Sequence, residues 1–106
     1  MEKQDAVAAL AALAHATRLD VFRLLVRAGP EGATPGEVAD ALDIAPPTLS
    51  FHLKELKGAG LLQVRREGRS LHYAPDFAAM RRLVSYLSDQ CCQGVSTTPD
   101  ARKRRT

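Results

Sequence analysis

Cys91 and Cys92 are the only two cysteines of the chain, and they are adjacent. A structural disulfide framework needs separated cysteines that close loops, and a neighbouring pair closes none of use. Two thiolates side by side instead suit one soft, thiophilic partner, trivalent arsenic or antimony being the obvious candidates. Tetrahedral zinc would want four ligands. His15, His52 and His72 sit on separate elements and form no ligand spacing. Side chains of neighbouring residues in a regular helix point about 100° apart, so the pair can share an ion only where a helix frays. A thiol-redox switch at Cys91-Cys92 is the rival reading. A helix C-terminus and nearby Asp89 both raise thiol pKa, the reverse of what a reactive cysteine needs. Metalloid binding drives the protons off instead. With no base at hand, no Gly-rich anion loop and no CxxC, nothing here points to an enzyme.

The second group of candidates is basic and polar. Arg65, Arg66 and Arg69 cluster around Gly68, where arginines at a hairpin tip suit phosphates or a minor groove. Upstream, Thr48, Ser50, Phe51 and Lys54 fall on the outward arc of a helix whose Leu49, Leu53 and Leu56 form a buried stripe at i, i+4 and i+7. Short hydroxyls near a helix N-terminus reach bases or phosphates easily, and Lys54 can neutralise a phosphate. His52 lies at the edge of the buried stripe. It is either a structural histidine bonded to backbone or a base contact. Phe51 either meets a thymine methyl or packs on a neighbouring helix.

The elements that must hold these residues follow from periodicity and caps. Val7, Leu10, Ala11 and Ala14 fit a first amphipathic helix. A second runs from about Thr17 to Ala28, with Leu19, Phe22, Leu25 and Val26 on one face, and Gly29-Pro30 stops it. Thr34-Pro35-Gly36-Glu37 is a capping box with proline at the first helical position, opening a short helix to Leu42. Asp43-Ile44-Ala45 is a tight connector, and Pro46-Pro47 opens the next helix, to about Ala59. Leu62 and Val64, then Leu71 and Tyr73, alternate with polar residues on either side of Glu67-Gly68-Arg69, which reads as a β-hairpin. Phe77, Met80, Leu83, Val84 and Leu87 mark a last amphipathic helix ending near Gln90 to Gln93, with Gly94 as its left-handed stop.

A capped helix, a tight turn, a second helix and then a hairpin make a winged helix-turn-helix, a mainly α fold with a small β-hairpin. In that motif the second helix enters the major groove. One domain spans residues 1–94. Residues 95–106 lack periodicity and include Arg102, Lys103, Arg104 and Arg105, which predicts a disordered basic tail. Only 5% of the 106 residues are aromatic and there is no Trp, so Leu, Val and Ala must build a modest core. The net charge of +3 sits largely in the tail, so charge position says more than charge total. The N-terminus reads as neither a signal peptide nor a membrane span, which places the protein by default in the cytoplasm.

Three segments carry a resemblance. The run Leu13-Ala14-His15-Ala16-Thr17-Arg18-Leu19, the stretch from Pro47 to Leu56, and Ala59-Gly60-Leu61-Leu62 followed by Glu67-Gly68-Arg69 together resemble the ArsR/SmtB family of metal-sensing repressors, over roughly residues 5 to 94. The resemblance implies a homodimer formed by the first and last helices. It also implies a twofold-symmetric operator on double-stranded DNA and repression relieved by an inducer. Cys91-Cys92-Gln93-Gly94 resembles a C-terminal arsenic site of a subset of that family, which implies arsenite or methylarsenite as inducer, with antimonite a further candidate and no permanent cofactor. Three departures stand out. Glu37-Val38-Ala39-Asp40 lacks the cysteine motif that some relatives carry there, and Asp76 to Gln90 lacks the histidine that other relatives use for zinc. At the start of the reading helix, Ala45-Pro46-Pro47 replaces the serine cap of many relatives, which stiffens that turn and removes a side-chain cap.

Overall fold

The computed structural model describes residues 1–95; the expected tail falls, from residue 96 onward, outside them. Five helices and one hairpin follow in the order α1 (Lys3–Leu13), α2 (Ala16–Ala28), α3 (Pro35–Leu42), α4 (Pro46–Gly58), β1 (Leu62–Glu67), β2 (Ser70–Pro75) and α5 (Phe77–Ser88). This is the winged helix-turn-helix expected from the sequence, with helix limits within a residue or so of the expectation except at α1 and α5.

Local chemistry sets the joints. The Thr34 hydroxyl accepts from the Glu37 amide at 3.2 Å, and the Glu37 carboxylate accepts from the Thr34 amide at 2.8 Å, so α3 starts on the expected reciprocal cap. The Thr34 bonds hold the Glu37 carboxyl below its ordinary pKa. At the other end Asp43 takes the left-handed conformation at φ 54°. The Ile44 amide then reaches back to the Ala39 carbonyl at 3.0 Å, turning the chain sharply into α4. The two helices therefore meet across three residues.

The hairpin turns on Gly68 and Arg69, with Gly68 at φ 63° supplying the positive φ that such a two-residue turn requires at its first position. Val64 faces Tyr73 and Arg65 faces His72 across the ladder. A further bridge ties the hairpin to the α2–α3 loop. Ala33 donates to the Tyr73 carbonyl at 2.9 Å and accepts from the Tyr73 amide at 2.8 Å. Gly32, at φ 77°, makes this approach possible, since a Cβ there would lie 2.5 Å from the Tyr73 oxygen.

The core forms where α2, α3, α4 and the base of the hairpin converge, around Val21, Leu25, Val38, Leu49, Leu56 and Leu61, all fully buried. Here α1 departs from expectation. Its buried face is Ala6, Ala9 and Ala12, while Val7 is 58% and Leu10 41% exposed. Alanines let the helix backbone approach α2 and α4 closely, and the bulkier side chains are then turned outward. Leu19 on α2 is likewise exposed, against the expectation that it lines the inner face. α5 repeats the pattern. Ala79 and Leu83 are buried, and Val84 and Leu87 are exposed. Among the described residues no helix is long and apolar enough to cross a membrane.

Candidate nucleic-acid interface and thiol pair

α4 lies with Leu49, Leu53 and Leu56 inward, which fixes the opposite arc. Thr48, Ser50, Phe51 and Lys54 are all exposed, on one side of the helix that the motif presents to a major groove. Phe51 remains 54% exposed, an unusual cost for a phenyl ring in water. It meets the neighbouring His52 ring edge-on, at 5.6 Å between centroids. The start of α4 is bare of side-chain caps. Pro46 and Pro47 carry no amide hydrogen, and the Leu49 amide is already bonded to the Ala45 carbonyl at 3.0 Å. The free backbone donor of that first turn is therefore that of Thr48.

His52 is corrected. It is 5% exposed and points into the protein with the leucine stripe, so it offers no surface to a base. Its ring sits 4.8 Å from that of His15, whose Nδ1 accepts the Thr17 amide at 3.2 Å and caps α2. Burial is the main cause that lowers the His52 pKa, helped by His15 and Arg18 and opposed by Glu55. Among the described residues the His52 Nδ1 has no hydrogen-bond partner. His52 is the structural histidine of the two alternatives, held by burial rather than by a backbone hydrogen bond among the described residues. Helical position alone, at the rim of the stripe, could not show that the His15 ring comes from another helix to cover it.

The three wing arginines are exposed but not equivalent. Arg66 and Arg69 make no ion pair among the described residues. Arg65 donates to the Glu67 carboxylate at 2.8 Å and to the Glu31 carbonyl at 3.3 Å. The Arg65 guanidinium holds the Glu67 carboxyl below its ordinary pKa, with His72 adding to the effect. Proximity to Gly68 in the sequence does not distinguish the three. The Glu67 two residues on from Arg65, on the same strand face, was the signal that could have separated them.

The cysteines lie beyond α5, not within its last turn. The helix ends at Ser88, with Asp89 as cap. The Ser88 hydroxyl bonds back to the Val84 carbonyl at 2.9 Å, a local bond that competes with helix continuation. Two loose turns follow, from the Cys91 amide to the Ser88 carbonyl at 3.1 Å and from the Gln93 amide to the Gln90 carbonyl at 3.2 Å. Gln90 and Cys92 take positive φ, at 58° and 66°, and so does Gly94 at 94°. Gly94 is thus left-handed as expected, although it stops no helix. The result brings the two sulfurs to 3.2 Å, both residues exposed. The hydrogen bond to Cys92 raises the Cys91 pKa, with a smaller contribution from desolvation. Among the described residues no three His, Cys, Asp or Glu side chains gather as a metal site.

Comparison with known proteins places this geometry. A helix-turn-helix domain family matches residues 13–65. The transcriptional activator HlyU of Vibrio cholerae serotype O1 is 28% identical over 95 residues, covering 88% of this chain and 85% of that protein. The solved HlyU from V. cholerae N16961 is 30% identical over 85% of this chain and 100% of its own, with a TM-score of 0.64. A structure of reduced HlyU matches at 29% identity over 82% and 92%, with a TM-score of 0.62. The homodimeric winged helix-turn-helix domain of Mb0332 from Mycobacterium bovis, a possible ArsR-family regulator, is 29% identical over 82% of this chain and 81% of that one, with a TM-score of 0.65. An ArsR-like regulator from Rhodococcus sp. RHA1 shares the fold at a TM-score of 0.72, with 22% identity over 80% and 77% of the two chains.

Proposed function

The chain belongs to the ArsR family of winged helix-turn-helix transcription regulators, which bind DNA and are not enzymes, and from that premise we propose a homodimeric repressor released from its operator when Cys91 and Cys92 chelate trivalent arsenic or antimony. The observation that carries the inducer reading is the pair of exposed sulfurs 3.2 Å apart. With metal–sulfur bonds of about 2.3 Å, that separation closes an angle near 90° at the bound atom, whereas a tetrahedral ion would need sulfurs about 3.8 Å apart. A near-right angle suits a pyramidal trivalent ion with a lone pair. The thiols need not ionise first. Each forms a sulfur–arsenic bond as its proton leaves with one hydroxyl of arsenous acid, so two waters are released and one hydroxyl stays on arsenic.

Dimerisation is supported by the outward Val7 and Leu10 of α1 and Val84 and Leu87 of α5, and by the homodimeric state of Mb0332. Two α5 ends near a shared interface put the chelate where it can alter the spacing of two reading helices. The inducer must favour the DNA-incompetent form, by a coupling of about 1–3 kcal/mol.

A second reading keeps the fold and replaces the ligand. Reduced HlyU is among the similar structures, and a vicinal pair can be oxidised by peroxide to a disulfide with release of two waters. The raised Cys91 pKa weighs against it, because the thiolate is the nucleophile.

The test is a titration of the protein–operator complex, by fluorescence anisotropy, with arsenite, methylarsenite, antimonite, zinc, cadmium and peroxide side by side. Release by arsenic(III) or antimony(III) at concentrations far below the others is expected. Release by peroxide alone would replace the metalloid with the redox reading. Methylarsenite has two exchangeable positions, which two thiolates saturate, so in thiol-free buffer it acts at least as well as arsenite, and added glutathione narrows the gap. Clearly tighter action by arsenite would point to a third sulfur from the partner subunit.

A further inference from the structure

The wing is a two-stranded ladder that would be marginal by itself, so its angle to α4 depends on what holds it to the rest of the domain. β2 is held by backbone, through the paired Ala33–Tyr73 bonds at 2.9 and 2.8 Å. β1 is the strand farther from that loop, and within the hairpin only β2 pairs with it. Its base is held by Leu62, buried in the core, and farther out toward the turn its tie is a side chain. Arg65 extends from β1 to the Glu31 carbonyl, 34 residues earlier in the chain. The same terminal nitrogen also donates to the Glu67 carboxylate, which fixes the guanidinium and cancels its charge locally.

We propose that Arg65 is a positioning residue of the wing, anchoring β1 to the α2–α3 loop, and that only Arg66 and Arg69 of the three wing arginines face phosphate. Arg65 and Arg66 are neighbours on a strand, so their side chains leave opposite faces. Arg66 shares its face with Leu71 across the ladder, and Arg65 with His72. A guanidinium already bonded to a carboxylate and a carbonyl has fewer free donors, and part of its charge is offset before any phosphate approaches. Its planar, rigid fork holds the two hydrogens of that terminal nitrogen in fixed directions toward the two acceptors, which a freely rotating lysine ammonium on a flexible stem does not. The proposal rests on DNA binding alone and is independent of what the cysteines sense.

The experiment uses full-length protein and a duplex that the protein itself selects from a random-sequence pool, titrated across a range of salt concentrations. Each lost phosphate contact flattens the slope of log affinity against log salt by about 0.9. Arg66→Ala and Arg69→Ala are expected to do so. Arg65→Ala is expected to weaken binding by about fivefold, the scale of one net hydrogen bond, with the slope unchanged. Its hydroxyl-radical footprint should keep the flanking protection due to the wing, shifted in position but not lost, and leave the central protection due to α4 unchanged. R65K restores the charge without the fork, so it stays weak. Three results would overturn the assignment: a slope flattened by Arg65→Ala as much as by Arg66→Ala, full rescue by R65K, or an Arg65→Ala protein with wild-type affinity and footprint. Thermal melts of each variant, recorded in parallel, separate a displaced wing from an unfolded domain.

Discussion

The helix-turn-helix with its wing and the segment after Ser88 are held in opposite ways. In the first, each joint is fixed more than once: α3 by a reciprocal cap, the α3–α4 turn by left-handed Asp43 and the Ile44 bond, the wing by a backbone bridge and by Arg65. In the second, two exposed cysteines are positioned by two single-turn hydrogen bonds and two positive-φ residues. Few buried contacts and solvent-exposed backbone bonds mark the low-stability end of a structure. The lesson is a division of labour. A surface that must match DNA is ordered before it binds, while a chelating segment can be ordered by what it chelates.

The largest break in this comparison should come from the cysteines. Cys91→Ser and Cys92→Ser proteins are expected to bind the operator as the wild type does, because among the described residues the hydrogen bonds of that segment are all local to it. Both should lose release by trivalent arsenic at the wild-type inducer concentration, in the same anisotropy titration. A mutant that still responds would remove the pair from sensing, and one that fails to bind DNA would show the two regions to be one.

Next comes Gly32→Ala, aimed at the rigid region. The added Cβ meets the Tyr73 carbonyl in a backbone conformation that alanine resists, so a loss of about 2 kcal/mol or more is expected. In a domain this size that is a fall on the order of 10 °C in Tm, read by circular dichroism. An unchanged melt would mean that the wing bridge is not the joint described. Lys54→Ala is smaller. It should weaken operator binding and flatten its salt slope by about 0.9, with no change in Tm; an unchanged slope would take Lys54 off the phosphate contacts.

The smallest effect sharpens the comparison through pH. Burial, chiefly, lowers the pKa of His52 below the ordinary histidine value. As pH falls below the ordinary histidine value, the unfolded chain takes up this proton and the folded one resists, so stability declines from about pH 6.5 downward to the folded pKa. His52→Leu should flatten that acid limb in urea unfolding measured from pH 7.5 to 5. An acid limb identical to wild type would assign the loss to other groups.

Much of this was legible in the sequence, for identifiable reasons. Thr34, Glu37 and Asp43-Ile44-Ala45 act on their immediate neighbours, and local chemistry is what a sequence displays. So does the leucine stripe of α4, whose register alone exposes Thr48, Ser50, Phe51 and Lys54. The errors arose where packing between elements decides. Val7 and Leu10 follow a helical period, yet the face that docks is the alanine face, because close approach to α2 and α4 favours small side chains. His52 is hidden by His15, 37 positions away. α5 ends at Ser88, before the cysteines, where the Ser88 hydroxyl bonds back to the Val84 carbonyl, a bond that periodicity does not register.

The two prolines that open α4 carry a consequence for the heat of binding. A reading helix whose first turn orders only on DNA adds a negative heat-capacity change and an entropic cost to association. Pro46 and Pro47 restrict that turn in the free protein. Calorimetry of operator binding over a range of temperatures should therefore show the shallow slope of two preformed surfaces meeting. P46A/P47A protein should show a steeper one.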